Sequence, residues 1–168
     1  MSEHYHKIIF ELTPDEDNYP PVSAESLWGI SKEPDVYEID NSPYYIYGVS
    51  KGDCILTAEK NGAKVALKIV RQGGHSTLRV FAENDVIKKN IIKKLEALGC
   101  ICSTTKGISL FSVDIPAKCD FLEIDSYLSS ISDGEKIAYE DACLQHKKID
   151  PPRISASLSL ASLGNALH

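Results

Sequence analysis

The residues best suited to chemistry stand in one short stretch, Gly73-Gly74-His75-Ser76-Thr77, with Arg79 just after it. Glycines and hydroxyls together can cradle a phosphate, and a histidine there could exchange protons with a ligand. His75 could serve as a general base and Arg79 as an anion clamp, with Asp53 as an upstream carboxylate. The loop is too short for a dinucleotide fingerprint and lacks the lysine of a P-loop, so a plain turn between strands is the favoured reading of it. No nucleophile–base or metal-ligand pattern accompanies it, and no catalytic residue, metal or cofactor is assigned.

The five cysteines, Cys54, Cys100, Cys102, Cys119 and Cys143, read as reduced thiols. Cys100 and Cys102 share a strand face, but two further ligands at zinc-like spacing are missing. His4 and His6 lie at the N-terminus and are read as part of a frayed end. Tyr44, Tyr45 and Tyr47 resemble a base-stacking platform, yet Asp40 and Asp53 flank them where such platforms carry bases.

Charge is distributed unevenly on a chain of 168 residues with a net charge of −6. Between residues 114 and 146, Asp114, Asp120, Glu123, Asp125, Asp133, Glu135, Glu140 and Asp141 face only Lys118 and Lys136. Lys88, Lys89, Lys93 and Lys94 instead gather on one predicted helix. This balance argues against a general nucleic-acid binder and suits an acidic face meeting a basic protein. The candidate partner-binding residues are Glu123, Asp125, Asp133, Glu135, Glu140 and Asp141.

The elements that position these groups fall into two halves. Strands are expected over 7–12, 25–32 and 36–39, then over 53–59 and 64–70 as a hairpin turned at Asn61-Gly62. Short strands with tight polar turns suggest a small β-barrel-like subdomain over residues 1–74. Trp28 is expected to anchor its core. Residues 75–146 suggest a ferredoxin-like β-α-β-β-α half, so the fold class is α+β. Its strand over 78–82 leads to a helix capped by Asn84, with Ile87, Ile91, Leu95 and Leu98 as the apolar stripe and Gly99 as its stop. Strands over 100–105 and 108–115 follow, then a helix over 120–131 and a further helical segment over 135–146. Residues 147–168 read as a flexible tail of low complexity.

No apolar run reaches the roughly 20 residues needed to span a bilayer, and the start lacks the pattern of a signal peptide. The sequence therefore predicts a cytoplasmic protein without a membrane partner.

Several signposts occur in order: Pro14 to Trp28 (PDEDNYPPVSAESLW), Asp40-Asn41, Tyr47 to Asp53 (YGVSKGD), Gly74 to Arg79 (GHSTLR), Tyr139-Glu140 and His146. As a set they resemble a bacterial family catalogued as domain of unknown function 4265, over roughly residues 7 to 146. The resemblance implies no reaction, substrate or catalytic residue. By analogy with small cytosolic proteins that neutralise secreted toxins, the leading expectation is a non-catalytic immunity protein. It would hold a basic, nuclease-type toxin domain through the six carboxylates, which mimic phosphates and speed encounter. The alternatives are a small-molecule sensor or small enzyme using Asp53, His75 and Arg79, and an RNA-binding module using Lys88 to Lys94.

Overall fold

Alternation of apolar and polar side chains sets most of this architecture. In β1 (Tyr5–Glu11), Ile8 and Phe10 point inward while Lys7 and Glu11 stay exposed, the two-residue period of a half-buried strand. The computed structural model describes residues 4–164. After β1 come β2 (Ala24–Glu33), β3 (Val36–Ile39), β4 (Cys54–Lys60) and β5 (Ala63–Arg71). Each pairs antiparallel with the next, and β5 returns beside β1 in parallel through Ile9 and Val65, which closes a barrel. The β4–β5 turn is Asn61-Gly62, whose φ angles of 53° and 80° follow the strand twist. Ile8, Phe10, Leu27, Tyr37, Ile39 and Ile55 fill the interior. Ile46 and Val49 join them from the long connection between β3 and β4.

The second sheet contains β6 (Ser76–Ala82), β7 (Ile101–Ser103), β8 (Leu110–Ile115) and β9 (Ile137–Cys143), in the spatial order β7-β8-β6-β9 with every pair antiparallel. Helices α1 (Asp85–Ala97) and α2 (Phe121–Ile131) cover one face. Leu78, Val80, Phe111, Val113 and Ile115 from the sheet meet Ile91, Leu95, Phe121, Ile124 and Leu128 from the helices. Asn84 caps α1 by accepting from the Ile87 N–H, and Asp120 caps α2 by accepting from the Leu122 N–H. The chain is thus α+β, with strands dominating. Among the described residues no helix is long and apolar enough to cross a membrane.

Three expectations fail here. The segment over 135–146 is not helical: residues 137–143 form β9, because pairing with β6 outweighs the helix propensity of its alanines and glutamate. The predicted flexible tail contains helix α3 (Pro151–Gly164), which packs against β9 and buries Ser157 and Ala161. Trp28 does not anchor the core. Leu27 takes the inward position of β2 at 2% exposure, so its neighbour Trp28 faces outward at 49%.

Candidate functional site

The sheet face turned away from the helices is polar, and it meets the barrel's 40–53 connection in a buried seam. Thr77 and Arg79 from β6 and Ser112 and Asp114 from β8 supply it, as alternate residues on their strands. The Thr77 and Ser50 hydroxyls lie 2.6 Å apart. Ser112 meets the Ser42 hydroxyl at 2.7 Å and donates to the Pro43 carbonyl. Glu25 braces the same connection, its carboxylate accepting from the N–H groups of Tyr44, Tyr45 and Ile46.

Asp53 is fully buried and accepts from the N–H groups of Ser50 and Gly73 and from Gln145 Nε2. Burial pushes its pKa above the ordinary carboxylate value, against the pull of those donors and of His75. His75 donates Nδ1–H to Asp114 Oδ1 at 2.8 Å. Asp114 is also raised by burial, with His75 opposing, and its Oδ2 has no hydrogen-bond partner among the described residues. The sequence-predicted Asp53 and His75 therefore meet at one seam. Two loops cross there at close range: a Cβ on Gly73 would sit 2.6 Å from the Gly52 carbonyl oxygen.

Arg79 lies elsewhere along the seam and is wholly buried. Its guanidinium donates to the Tyr45 and Ile46 carbonyls, stacks 4.7 Å from the Tyr47 ring centroid and lies 3.6 Å from Glu140. It clamps the chain's own backbone, a structural use in place of the expected anion clamp.

The six predicted partner-binding carboxylates do not form one free face. Asp125 and Asp141 lie on the helix side and are both held by Arg153 of α3 at 2.8–2.9 Å. Those hydrogen bonds hold Asp125 below the usual carboxylate range. Glu140 is on the opposite side of β9, where it accepts from the Tyr47 hydroxyl. Asp133 accepts from the N–H groups of Glu135, Lys136 and Ile137 and closes the turn into β9. Glu123 and Glu135 are exposed. The local charge is real, but alternation along β9 divides it between faces. The lysine cluster is divided as well: Lys88 is buried and donates to the Ile108 carbonyl, while Lys89, Lys93 and Lys94 are exposed.

A feature the sequence reading missed is a cleft of about 530 Å³ at the rim of the seam, bounded by Gly74, residues 117–121 and residues 145–148. Lys118, Lys147 and Lys148 stand on its walls, with Asp120, Phe121 and Ala117. The wall is fixed by hydrogen bonds: Gly74 N–H donates to Gln145 Oε1, and His146 bonds the Ser76 hydroxyl and the Pro116 carbonyl. The only available signal was the Lys147-Lys148 pair. It lies just past the acidic stretch and far in sequence from Lys118.

The model for the family described as "Domain of unknown function (DUF4265)" matches residues 25–139. The chain belongs to this family. No curated protein matches it. A solved structure titled as a novel crystal structure of a hypothetical protein from Neisseria gonorrhoeae superposes with a TM-score of 0.70 at 15% identity, over 84% of this chain and 96% of that one. At that identity the likeness concerns the fold alone. The DUF4265 match takes in Asp53, Gly73 to Arg79, Asp114 and Lys118, whereas Gln145 to Lys148 lie beyond it.

The chemistry open to this DUF4265 chain is limited by access. Ser76 and His146 approach to 2.6 Å, the contact of an activated nucleophile, but Ser76 is fully buried. Burial also pushes thiol pKa values up, to about 12 for Cys100 and Cys102 and about 11 for Cys143, which suppresses the reactive thiolate. Among the described residues no group of three or more His, Cys, Asp or Glu is placed to hold a metal ion.

Proposed function

We propose that this chain is a non-catalytic binding protein whose small-molecule ligand occupies the cleft bounded by Gly74, residues 117–121 and residues 145–148. One observation carries this reading: the groups capable of chemistry are consumed inside the seam, while the open space lies at its rim. A volume of about 530 Å³ falls within the usual range of small-molecule pockets. The loop at His75 takes part through Gly74, which lines the cleft, while the His75 ring is turned to Asp114. Neutralisation of a basic toxin domain has less support, because four of its six carboxylates are engaged within the chain. As for architecture, we read the second half as ferredoxin-like; the strand–helix–strand–strand–helix–strand order with β6 between β8 and β9 supports this.

The test is a thermal-shift screen of metabolites on the full chain and on Ala117→Trp. Ala117 is exposed on the cleft wall, so the indole fills the cleft without entering a core. A ligand that stabilises the parent should fail to stabilise the variant. Ligands indifferent to that change would remove the cleft from the proposal.

A further inference from the structure

The cleft combines features that select for charge. Its three lysines, Lys118, Lys147 and Lys148, are exposed, and among the described residues none forms an ion pair or hydrogen bond within the chain. The one carboxylate on the wall, Asp120, is already engaged as the N-cap of α2, accepting from the Leu122 N–H at 3.0 Å. The α2 N-terminus adds its positive dipole end to the same wall. Gln145 and His146 contribute no negative charge, and both are fixed by bonds to Asp53, Gly74, Ser76 and Pro116. On a chain of net charge −6, three lysines thus line one concave site against the single carboxylate of Asp120.

We infer that the cleft takes a small molecule bearing a phosphate group; this rests on the cleft being the binding site. Three flexible ammonium groups act as point charges around a compact dianion, a role lysine fills in phosphate sites. Ala117, which is exposed, and the half-buried Cys119 on the wall leave apolar surface for the organic body of such a ligand. A polynucleotide fits poorly, because the chain carries a net charge of −6 and Asp120 and Glu123 stand exposed at the start of α2 beside the lysines.

The experiment titrates the ¹⁵N-labelled full chain with pyrophosphate at constant ionic strength. Saturable shifts are expected at the amides of Gly74, residues 119–121 and residues 145–148. The triple variant Lys118→Gln/Lys147→Gln/Lys148→Gln should weaken binding by at least about tenfold, since three charge contacts are lost together. The charge-matched control Lys68→Gln/Lys93→Gln/Lys136→Gln, at exposed positions elsewhere, should leave it within about twofold. Equal weakening in both triples, or no saturable shift, overturns the inference. If pyrophosphate fails but a neutral metabolite binds the parent and not Ala117→Trp, the binding role stands and the phosphate specificity falls. Pyrophosphate shifts that persist in Ala117→Trp would instead sink the binding role of this cleft.

Discussion

Replacing Arg153 with leucine tests how α3 is held to the rest of the fold. The guanidinium makes two forks, one to Asp141 through Nε and Nη2 and one to Asp125 through Nη1 and Nη2, all at 2.8–2.9 Å. The side chains are 30% exposed for Arg153 and 21% for each aspartate. Breaking a fully buried pair costs about 3–5 kcal/mol, and an exposed pair contributes at most about 1 kcal/mol. This intermediate burial, with two carboxylates left facing each other, places the loss at about 2–3 kcal/mol near neutral pH. The pH dependence is more diagnostic. Asp125 is held below its ordinary value of 3.8, chiefly by Arg153, so its stabilisation is complete above 3.8 and is lost as pH falls through the depressed folded value. In Arg153→Leu the two carboxylates repel each other and favour protonation, so that variant gains relative stability as acid neutralises them. The gap between the two proteins should therefore narrow steadily from about pH 7 toward about pH 3. Urea unfolding of both across that range measures it, and Asp125→Asn/Asp141→Asn/Arg153→Leu should recover much of the loss at neutral pH. A gap below about 0.5 kcal/mol, or one independent of pH, would refute this account of α3 docking.

Two further outcomes follow from close packing. Gly73→Ala should cost about 2–4 kcal/mol by urea unfolding, because the new Cβ lies within 2.6–2.9 Å of three Gly52 backbone atoms that cannot rotate aside. Gly62→Ala has nothing within 4 Å and bears only the strain of its φ of 80°, about 1 kcal/mol, so equal losses would contradict the crossing of the two loops. Leu27→Ala should cost about 2–5 kcal/mol and Trp28→Ala about 1 kcal/mol or less, and the reverse order would mean that β2 pairs in the other register.

What could be read from the sequence was what is decided locally. Asn84 and Gly99 mark the ends of α1, and Asn61-Gly62 marks the β4–β5 turn, because caps and tight turns depend on a few adjacent residues. The features that were not legible depend on distant partners. Ile137 to Cys143 become a strand through pairing with β6, more than 50 residues earlier in the chain. α3 docks because Arg153 finds Asp125 and Asp141, which no local pattern marks. Leu27-Trp28 shows that an adjacent apolar pair does not reveal which member faces inward. The acidic stretch illustrates the same limit for function. Residues 114 to 146 are rich in acid, but Glu140 and Asp141 are neighbours in sequence and face opposite sides of one strand. The lysine cleft lay hidden because its lysines come from two segments almost 30 residues apart, and its remaining wall from Gly74.

The polar seam links fold and function. A buried polar face permits few alternative dockings: sliding the second sheet past the 40–53 connection by one residue would part Thr77 from Ser50, and Ser112 from Ser42 and Pro43. Each buried group stranded in that way costs about 1–3 kcal/mol, so competing arrangements lie well above the native one. The sheet therefore meets the barrel in one orientation. Gly74, Gln145 and His146 inherit that rigidity through their bonds to the seam, and they form the wall of the cleft. A wall already ordered before a ligand arrives loses little conformational entropy on binding, which favours affinity for a small charged molecule. The same rigidity works against catalysis at this site, since Ser76, Asp53 and Asp114 could reach a substrate only if the seam opened and those hydrogen bonds broke.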